Sequence, residues 1–447
     1  MHTKWSQTGL ALLLCVIVLG ALAFVGRAPC QSGCNVILIM VDTLSAKHLA
    51  VYGYDRDTMP QTTAFFREGT IFENARSNAP WTLPSFTSMY FSDVASSITF
   101  AQLDDESRPN LPLELRNAGV ALRVIRPQGE NFIFNTITRL FEPEEVTWTN
   151  EESKSSLDVM SEEITRLSQG GSPFFLVVHT FEAHDPYRPH EPFDEYFDQT
   201  DEHPIVTMQT LAAANQAGVP PSPKDVDVYR LRYDQQLAQT DTHLARVLHN
   251  IPPEVLKDTA IIFSSDHGES FGEHGKLWHA SSGLYDEELR VPLMMRVPGT
   301  AARMISEPVS LLDMAPTVLA LMGHPAPDTF KGTSLIPVLS GGSIGNRVIP
   351  FVSGFPFFRK PGDTSNIQTN LEEAGAAGSD RPIIDLTGFG FYHKEQKVFS
   401  FWGVGAANGI HWYDLASDPD EQINLARENT LPPALEEALT TTEGMTQ

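Results

Sequence analysis

The chain has 447 residues, and its 56 Asp and Glu outweigh its 31 Lys and Arg to give a formal net charge of −25. This length allows one large α/β domain, or a large domain with a smaller C-terminal companion. No run of basic residues occurs in the sequence, which argues against a nucleic-acid partner because phosphate backbones are bound through clustered Lys and Arg. An acidic chain can still bind an anion through a metal ion or a few directed donors.

The N-terminus is predicted to be an export signal. A weakly basic head leads into an apolar stretch from Gly9 to Val25, which Arg27 closes. The stretch is a little short for a membrane span of about 20 residues and a little long for a signal-peptide core of about 7 to 15. A small-x-small cleavage pattern at 21–23 lies inside the apolar run. We therefore interpret 1–34 as an uncleaved membrane anchor with a short linker, which places the remainder at the periplasmic or extracellular side.

Two cysteines, Cys30 and Cys34, follow this segment. In an oxidising compartment they either close a small disulfide loop or remain two free thiols. Neither is predicted to be catalytic, because no His or basic partner beside them would lower a thiol pKa.

Beyond residue 34, strand and helix patterns alternate, which predicts an α/β fold with a large, mostly parallel sheet and helices on both faces. Three runs without polar alternation, at 35–41, 174–179 and 260–264, are typical of buried central strands. The other predicted elements are helices at 60–68, 84–91, 112–118, 155–169, 229–249 and 311–322, and strands at 70–74 and 120–125.

The C-terminal part has a different pattern. Short strands punctuated by Gly are predicted near 349–353, 388–393 and 397–402, which suits a small antiparallel subdomain. We therefore divide the chain into a catalytic α/β domain at 35–340 and a C-terminal α+β subdomain at 341–447. Residues 193–226 and 362–380 are predicted to be surface loops.

Potential metal ligands follow each of the three apolar strands. Asp42 follows the first, His179 ends the second, and Asp266 and His267 follow the third. Ligands of open parallel sheets bind at the carboxyl ends of the strands, so these residues are predicted to converge on one site. Carboxylates with an imidazole and a hydroxyl suit one divalent ion, Ca, Mn or Zn. A single Asp after a strand is usually a turn or cap residue, but three such strand ends favour a metal site.

Nine segments in family order carry a resemblance to known enzymes. They are 35–44 (NVILIMVDTL), 52–54 with Pro60, 79–88 (APWTLPSFTS), 179–189 (HTFEAHDPYRP), 233–247, 264–275 (SSDHGESFGEHG), 284–298 (LYDEELRVPLMMRVP), 309–321 with 331–335, and 412–425 (WYDLASDPDEQINL). The chain resembles the sulfatase family of the alkaline phosphatase superfamily over nearly its whole length after the anchor. The resemblance implies an alkaline phosphatase-like fold, makes Asp42, Asp266 and His267 metal ligands, and puts Thr82 at the nucleophile, where it is also a ligand.

The nucleophile motif departs from the family pattern of Cys or Ser, any residue, Pro, Ser and Arg. Pro84 and Ser85 match it, whereas Thr82 and Phe86 do not. Sulfatases convert their Cys or Ser to formylglycine, and Thr is not the usual substrate of that maturation. The resemblance therefore implies that Thr82 attacks directly as a metal-bound nucleophile, as in phosphoethanolamine transferases and lipoteichoic acid synthase. Its ester is then released by water or an acceptor alcohol, which is easier to picture for phosphate than for sulfate.

Other positions also differ from the family. Thr43 stands where many sulfatases have a second Asp, and the Gly-Lys-Trp-His segment is absent. Arg123 and Arg126 lie near that segment, and we interpret each as a surface charge rather than an anion contact. The candidates for protonating the leaving group are His184 and His279, since this role suits a pKa near neutrality.

The sequence therefore predicts a metal-dependent hydrolase of sulfate or phosphate esters, whose anionic substrate is linked to a glycan or a lipid. Two alternatives remain: a phosphotransferase resembling the phosphoethanolamine transferases, and a sulfatase-like protein that binds anionic glycans without turnover. The retained Asp42, Asp266 and His267 argue against the second, because a binding protein need not keep a metal cage.

Overall fold

The structure is a computed structural model that describes residues 30, 33–99, 101–103, 105, 108–128, 136–150, 154–197, 222–275, 277–279, 283–355, 385–401 and 409–446. The predicted anchor, most of the loop at 193–226 and the whole loop at 362–380 lie outside these residues. Among the helices in the described ranges, none has the length and hydropathy needed to cross a bilayer. Cys30 and Cys34 form a disulfide, one of the two alternatives for this pair.

The strands in chain order are β1 (Asn35–Val41), β2 (Thr70–Phe72), β3 (Ala75–Arg76), β4 (Ala121–Pro127), β5 (Val146–Thr149), β6 (Phe174–Thr180), β7 (Thr259–Ser264), β8 (Ser270–Phe271), β9 (Leu277–Trp278), β10 (Leu293–Arg296), β11 (Arg303–Ile305), β12 (Val309–Ser310), β13 (Val348–Phe355), β14 (Asp385–His393), β15 (Gln396–Phe401) and β16 (Ile410–Asp414). The α-helices are α1 (Pro60–Phe66), α2 (Thr82–Phe91), α3 (Leu111–Asn117), α4 (Ser156–Gln169), α5 (Pro223–His249), α6 (Pro253–Leu256), α7 (Asp286–Leu289), α8 (Met314–Leu321), α9 (Ile336–Leu339) and α10 (Pro433–Thr446).

A large mixed sheet of eight strands forms the centre of the molecule, in the order β11-β2-β10-β7-β1-β6-β4-β5. β1 pairs in parallel with β6 and with β7, and among the described strands of this sheet only β10 runs opposite to the others. The sheet is buried on both faces, because Val36, Leu38 and Met40 of β1 pack into one apolar cluster whereas Ile37 and Ile39 pack into another. The first cluster includes side chains of α2, α3 and α8, and the second includes those of α1, α4 and α5. The predicted α/β fold is confirmed.

Two helices begin earlier than their patterns predict. α2 begins at Thr82 rather than Pro84, because Trp81 is fully extended (φ −162°, ψ 166°) and Pro is tolerated in a first helical turn. α5 begins at Pro223, where Ser222 and Asp225 form a reciprocal capping box. The early start of α2 puts Thr82 at the N-terminus of a buried helix.

A second sheet of four antiparallel strands, β13 to β16, forms the C-terminal part, with β16 added to the three predicted strands. It is joined to the segment that precedes α2. The indole of Trp81 donates to the Gly354 carbonyl at 2.8 Å, and the side-chain amide of Asn78 donates to the Pro350 carbonyl at 2.7 Å. The C-terminal sheet therefore supports the chain just before Thr82.

Candidate active site

The carboxyl ends of the three central strands bring potential metal ligands together. β1 lies between β6 and β7, with Met40 opposite both His179 and Ser264. Asp42, His179 and Asp266 are buried, and each offers a ligand atom within 4.8 Å of the others. The convergence of these strand ends follows from the parallel sheet.

Thr82 and His267 complete the cluster. Thr82 Oγ1 lies 3.3 Å from His267 Nε2, which in turn lies 3.6 Å from Asp42 Oδ1 and 3.4 Å from Asp266 Oδ2. The other ring nitrogen, Nδ1, is 2.8 Å from the Gly268 carbonyl and donates to it. Nε2 is therefore the nitrogen that offers a lone pair to an ion, and the structure brings all four predicted ligands together.

The donor atoms fit a divalent cation. Asp42 Oδ1 and Asp266 Oδ2 are buried and have no hydrogen-bond partner among the residues that the structure describes. Burying two carboxylate oxygens without hydrogen bonds costs folding free energy unless a positive charge lies between them. Two carboxylates, an imidazole and a hydroxyl form a suitable ligand set, so Asp42, Asp266, His267 and Thr82 would hold the ion.

The electrostatics of the two aspartates differ. Burial and then the charge of Asp42 hold the pKa of Asp266 above its usual range. Burial also acts to raise the pKa of Asp42, but the hydrogen bond from His179 and the charges of His184 and His267 bring that pKa below its usual range. His179 Nε2 lies 2.8 Å from Asp42 Oδ2, so it orients this carboxylate and leaves Oδ1 directed at the ion site.

Two serine hydroxyls and one glycine fix the positions of the loops that carry the predicted ligands. Ser85 donates to the Asp266 carbonyl at 2.6 Å, which ties α2 to the end of β7. Ser265 accepts from the Leu44 amide at 2.8 Å and donates to the His267 carbonyl at 2.5 Å, which ties the ends of β1 and β7. Gly268 is required because a Cβ there would lie 2.1 Å from the Glu287 carbonyl oxygen.

His184 lies beside the cluster and is partly buried. Its Nδ1 donates to the Asp185 carbonyl at 2.6 Å, which leaves Nε2 available for proton transfer. Burial alone would lower the pKa of His184, but Asp42, the Asp185 carbonyl and Glu269 raise it above its usual value. The His184 ring lies 5.2 Å from the ring of His279.

His279 is buried between His184 and the predicted metal ligands, with its ring 4.5 Å from that of His267. Its Nδ1 lies 3.0 Å from Glu269 Oε1, and the Tyr187 hydroxyl donates to the other oxygen of Glu269 at 2.8 Å. Burial raises the pKa of Glu269 to about 8. This contact of Tyr187, Glu269 and His279 was not predictable from sequence patterns, because it joins residues of three separate loops.

Two positions that depart from the family pattern, Thr43 and Phe86, have defined contacts. The Thr43 hydroxyl donates to the Ala183 carbonyl at 2.8 Å and braces the loop before His184. The Phe86 ring packs 4.7 Å from that of His179.

The interpretation of Arg126 as a surface charge is wrong, because this residue is only 1% exposed. It is the penultimate residue of β4, and its guanidinium lies 5.8 Å from the Trp148 ring centroid. Burial lowers its pKa to about 10, while Tyr90, Asp42 and Asp266 favour its charged form. Arg123 is half-buried, with its Nε 3.5 Å from Glu163, so only part of its side chain reaches the surface.

Comparisons with known proteins identify the family of this chain. The Sulfatase family model matches residues 34–324. This chain belongs to the sulfatase family. The uncharacterized sulfatase YidJ of Escherichia coli (strain K12) is 30% identical over 203 residues, which cover 44% of this chain and 40% of YidJ. The match therefore spans less than half of that relative.

Solved structures share the fold over nearly the whole chain. The phosphonate monoester hydrolase SpPMH from Silicibacter pomeroyi has a TM-score of 0.67 at 18% identity, covering 92% of this chain and 94% of SpPMH. A protein solved with its substrate, D-glucosamine-2-N,6-O-disulfate, has a TM-score of 0.66 at 15% identity, covering 93% of this chain and 98% of its own. At these identities the likeness shows the fold alone, and the fold is that of the alkaline phosphatase superfamily.

Proposed function

We propose that this protein is a metal-dependent hydrolase of sulfate or phosphate esters with Thr82 as its nucleophile. One observation carries the proposal: the Thr82 hydroxyl lies 3.3 Å from His267 Nε2, inside a cluster whose two carboxylate oxygens lack a hydrogen-bond partner in the described part of the chain. A nucleophile in such a cluster is suited to attack an anionic ester.

When bound, a divalent ion would supply Lewis-acid stabilisation of the anionic ester and lower the pKa of the Thr82 hydroxyl. Thr82 Oγ1 gives its proton to solvent and forms the new bond to sulfur or phosphorus, and the bond from that atom to the substrate's alcohol oxygen breaks. The departing oxygen takes the proton held on His184 Nε2, with His279 as the second candidate. Water or an acceptor alcohol then attacks the Thr82 ester and frees the hydroxyl.

The similar structures support an anionic ester as substrate. SpPMH is named for phosphonate monoester hydrolysis, and the other protein binds a disulfated glucosamine. We propose a glycan- or lipid-linked ester for this chain. Release of a threonine ester by water favours phosphate over sulfate, because Thr82 lacks the aldehyde chemistry through which formylglycine expels sulfate.

The decisive test measures turnover of aryl sulfate, aryl phosphate and phosphodiester substrates by the purified full chain, with and without Mn, Zn or Ca. We expect metal-dependent turnover that Thr82→Ala abolishes. Metal-loaded protein that is inert on all three substrates would refute hydrolysis, and tight binding of an anionic glycan by such protein would support the binding alternative. Adding ethanolamine separates hydrolysis from transfer, because a transferase diverts the product to the alcohol.

We also propose that the protein is exported and held at the membrane by residues 1–34. The disulfide between Cys30 and Cys34 supports this proposal, because such bonds persist in oxidising compartments. In a Gram-negative host, protease added to spheroplasts should digest the catalytic part while the cytoplasm stays sealed. Protection from the protease would contradict export.

A further inference from the structure

A large cavity of about 1010 Å³ opens beside His184, and neither the ligand cluster nor the nucleophile lines it. His184 connects the two places, because it lines the cavity while its ring lies 5.2 Å from His279, which in turn contacts His267. The volume is sufficient for a sugar ring or a disaccharide. The cavity therefore lies on the leaving-group side of the proposed acid.

Most charged groups in the cavity wall are already partnered. His243 lies 2.7 Å from Glu182 Oε1 through Nδ1 and 2.9 Å from Asp158 Oδ1 through Nε2. Lys154 Nζ lies 2.8 and 2.9 Å from the two carboxylate oxygens of Glu162, and the Asp185 carboxylate accepts from the Tyr229 hydroxyl at 3.1 Å. These groups neutralise one another or are hydrogen-bonded within the protein.

Arg188 is the exception among the charged side chains of this wall. It lines the cavity and is exposed, and it has no ion pair within the described ranges. Its backbone is fixed, because the Arg188 amide donates to Gln236 Oε1 at 3.0 Å and the His190 amide donates to Gln239 Oε1 at 2.7 Å. Since both amide oxygens are engaged, the side-chain NH2 groups of the two glutamines can donate hydrogen bonds to a ligand.

We infer that this cavity binds the alcohol part of the substrate, and that Arg188 binds a second anionic group on it. The inference rests on the proposed function. The planar guanidinium and the two amide groups line the same cavity, and such donors match a sulfate, phosphate or carboxylate. The mixed polar walls match sugar hydroxyls rather than an acyl chain. In a chain with a net charge of −25, an arginine that lines the same cavity as His184 and has no ion pair among the described residues is a specific attraction for a doubly anionic sugar.

The test compares two probes that differ in one anionic group: N-acetylglucosamine 6-sulfate and N-sulfoglucosamine 6-sulfate. Their affinities are measured by calorimetry on the metal-loaded full chain with Thr82→Ala, so that turnover does not interfere. We expect the second sulfate to strengthen binding about tenfold, as for a charge-assisted hydrogen bond. Adding Arg188→Gln should reduce this ratio to about one.

The matched control is Arg166→Gln, which removes the same charge from an exposed arginine that pairs with Glu163 on α4. It should keep the tenfold ratio. A ratio near one in the Thr82→Ala protein, an unchanged ratio with Arg188→Gln, or failure of both sugars to bind would overturn the inference. Metal-dependent turnover of aryl esters by the parent chain tests the chemistry separately, because these esters carry no second anion.

Discussion

The Ser85 hydroxyl donates to the main-chain carbonyl of Asp266 across 2.6 Å, and this bond joins the first turn of α2 to the end of β7. Thr82 belongs to that helical turn, whereas Asp266 and His267 follow that strand. The nucleophile and two of the proposed ligands are therefore held by one buried hydrogen bond. The Ser77 hydroxyl lies 3.1 Å from Ser85 Oγ and fixes it from the other side.

Ser85→Ala should lower both kcat and the free energy of unfolding. Loss of the bond leaves the buried Asp266 carbonyl unsatisfied, which costs about 1–3 kcal/mol of unfolding free energy. It also lets Thr82 shift against the ligands, and a misplacement of this kind reduces kcat by about a hundredfold. Turnover of an aryl ester and urea denaturation measure the two effects.

Ser88→Ala is the matched control, because Ser88 is buried in the same helix and accepts from the Ala95 amide at 3.0 Å. It should lower stability by a similar amount while turnover stays near that of the parent. Equal losses of kcat in the two variants would show that Ser85 only stabilises the fold.

Relative to the parent, Asp266→Asn should raise the stability of the metal-free protein and lower the stability of the metal-loaded protein. Without metal, the change removes repulsion from Asp42 and keeps Oδ1 as acceptor for the His267 amide at 3.1 Å, so the variant should be about 1–3 kcal/mol more stable than the parent. With metal, the parent gains stability by binding the ion and the variant does not. Thermal denaturation with and without chelator measures both effects.

The control for this change is Asp313→Asn. It removes the charge of a buried aspartate that pairs with Arg347. It should destabilise the protein equally with and without metal, because Arg347 loses its partner. A metal-free Asp266→Asn protein that is destabilised as strongly as Asp313→Asn would argue against a cation site at Asp42 and Asp266.

The central sheet and the strand-end ligands were predictable because β1, β6 and β7 are continuous apolar runs, and parallel strands bring their carboxyl ends to one edge. The start of α2 was not predictable from Pro84, since it depends on the extended backbone of Trp81. The burial of Arg126 was missed for a different reason. A charged residue near a strand end is usually exposed, and only the packing of α2 and β5 around it removes it from water.

Arg126→Met should strengthen metal binding and weaken binding of inorganic phosphate. The buried guanidinium interacts with the Asp42 and Asp266 carboxylates, so it opposes a cation there and attracts an anion. A unit charge in a partly dry site acts with about 1 kcal/mol, which corresponds to roughly fivefold in each constant. Metal titration and competitive inhibition of turnover by phosphate measure the two constants.

Arg126→Lys should keep both constants near those of the parent because it keeps the charge. Arg123→Met is the control on the opposite face of the same strand. Arg123 pairs with Glu163, and its removal should leave both constants within about twofold. A fall in metal affinity with Arg126→Met would show that the residue acts through packing rather than through its charge.

Glu421→Gln should change how stability depends on pH. Glu421 is buried where the C-terminal part meets the main domain, with Oε1 2.7 Å from Lys397 Nζ and Oε2 accepting from the Asp286 amide at 2.6 Å. Burial raises its pKa to about 7, with Lys397 opposing the rise and Asp286 adding to it. The folded state therefore binds this proton more tightly than the unfolded chain, whose glutamate has a pKa of 4.5.

The stabilisation from protonated Glu421 is consequently complete below about pH 4.5 and is lost as the pH rises towards 7. The parent should lose about 1–3 kcal/mol relative to Glu421→Gln between pH 4.5 and 7, with little further change above pH 8. Urea denaturation across this range measures the difference, and Glu437→Gln on the exposed face of α10 should show none. A parent that gains stability over the variant as the pH rises would mean that Lys397 keeps Glu421 ionised in the folded protein, so that this junction is a buried ion pair throughout.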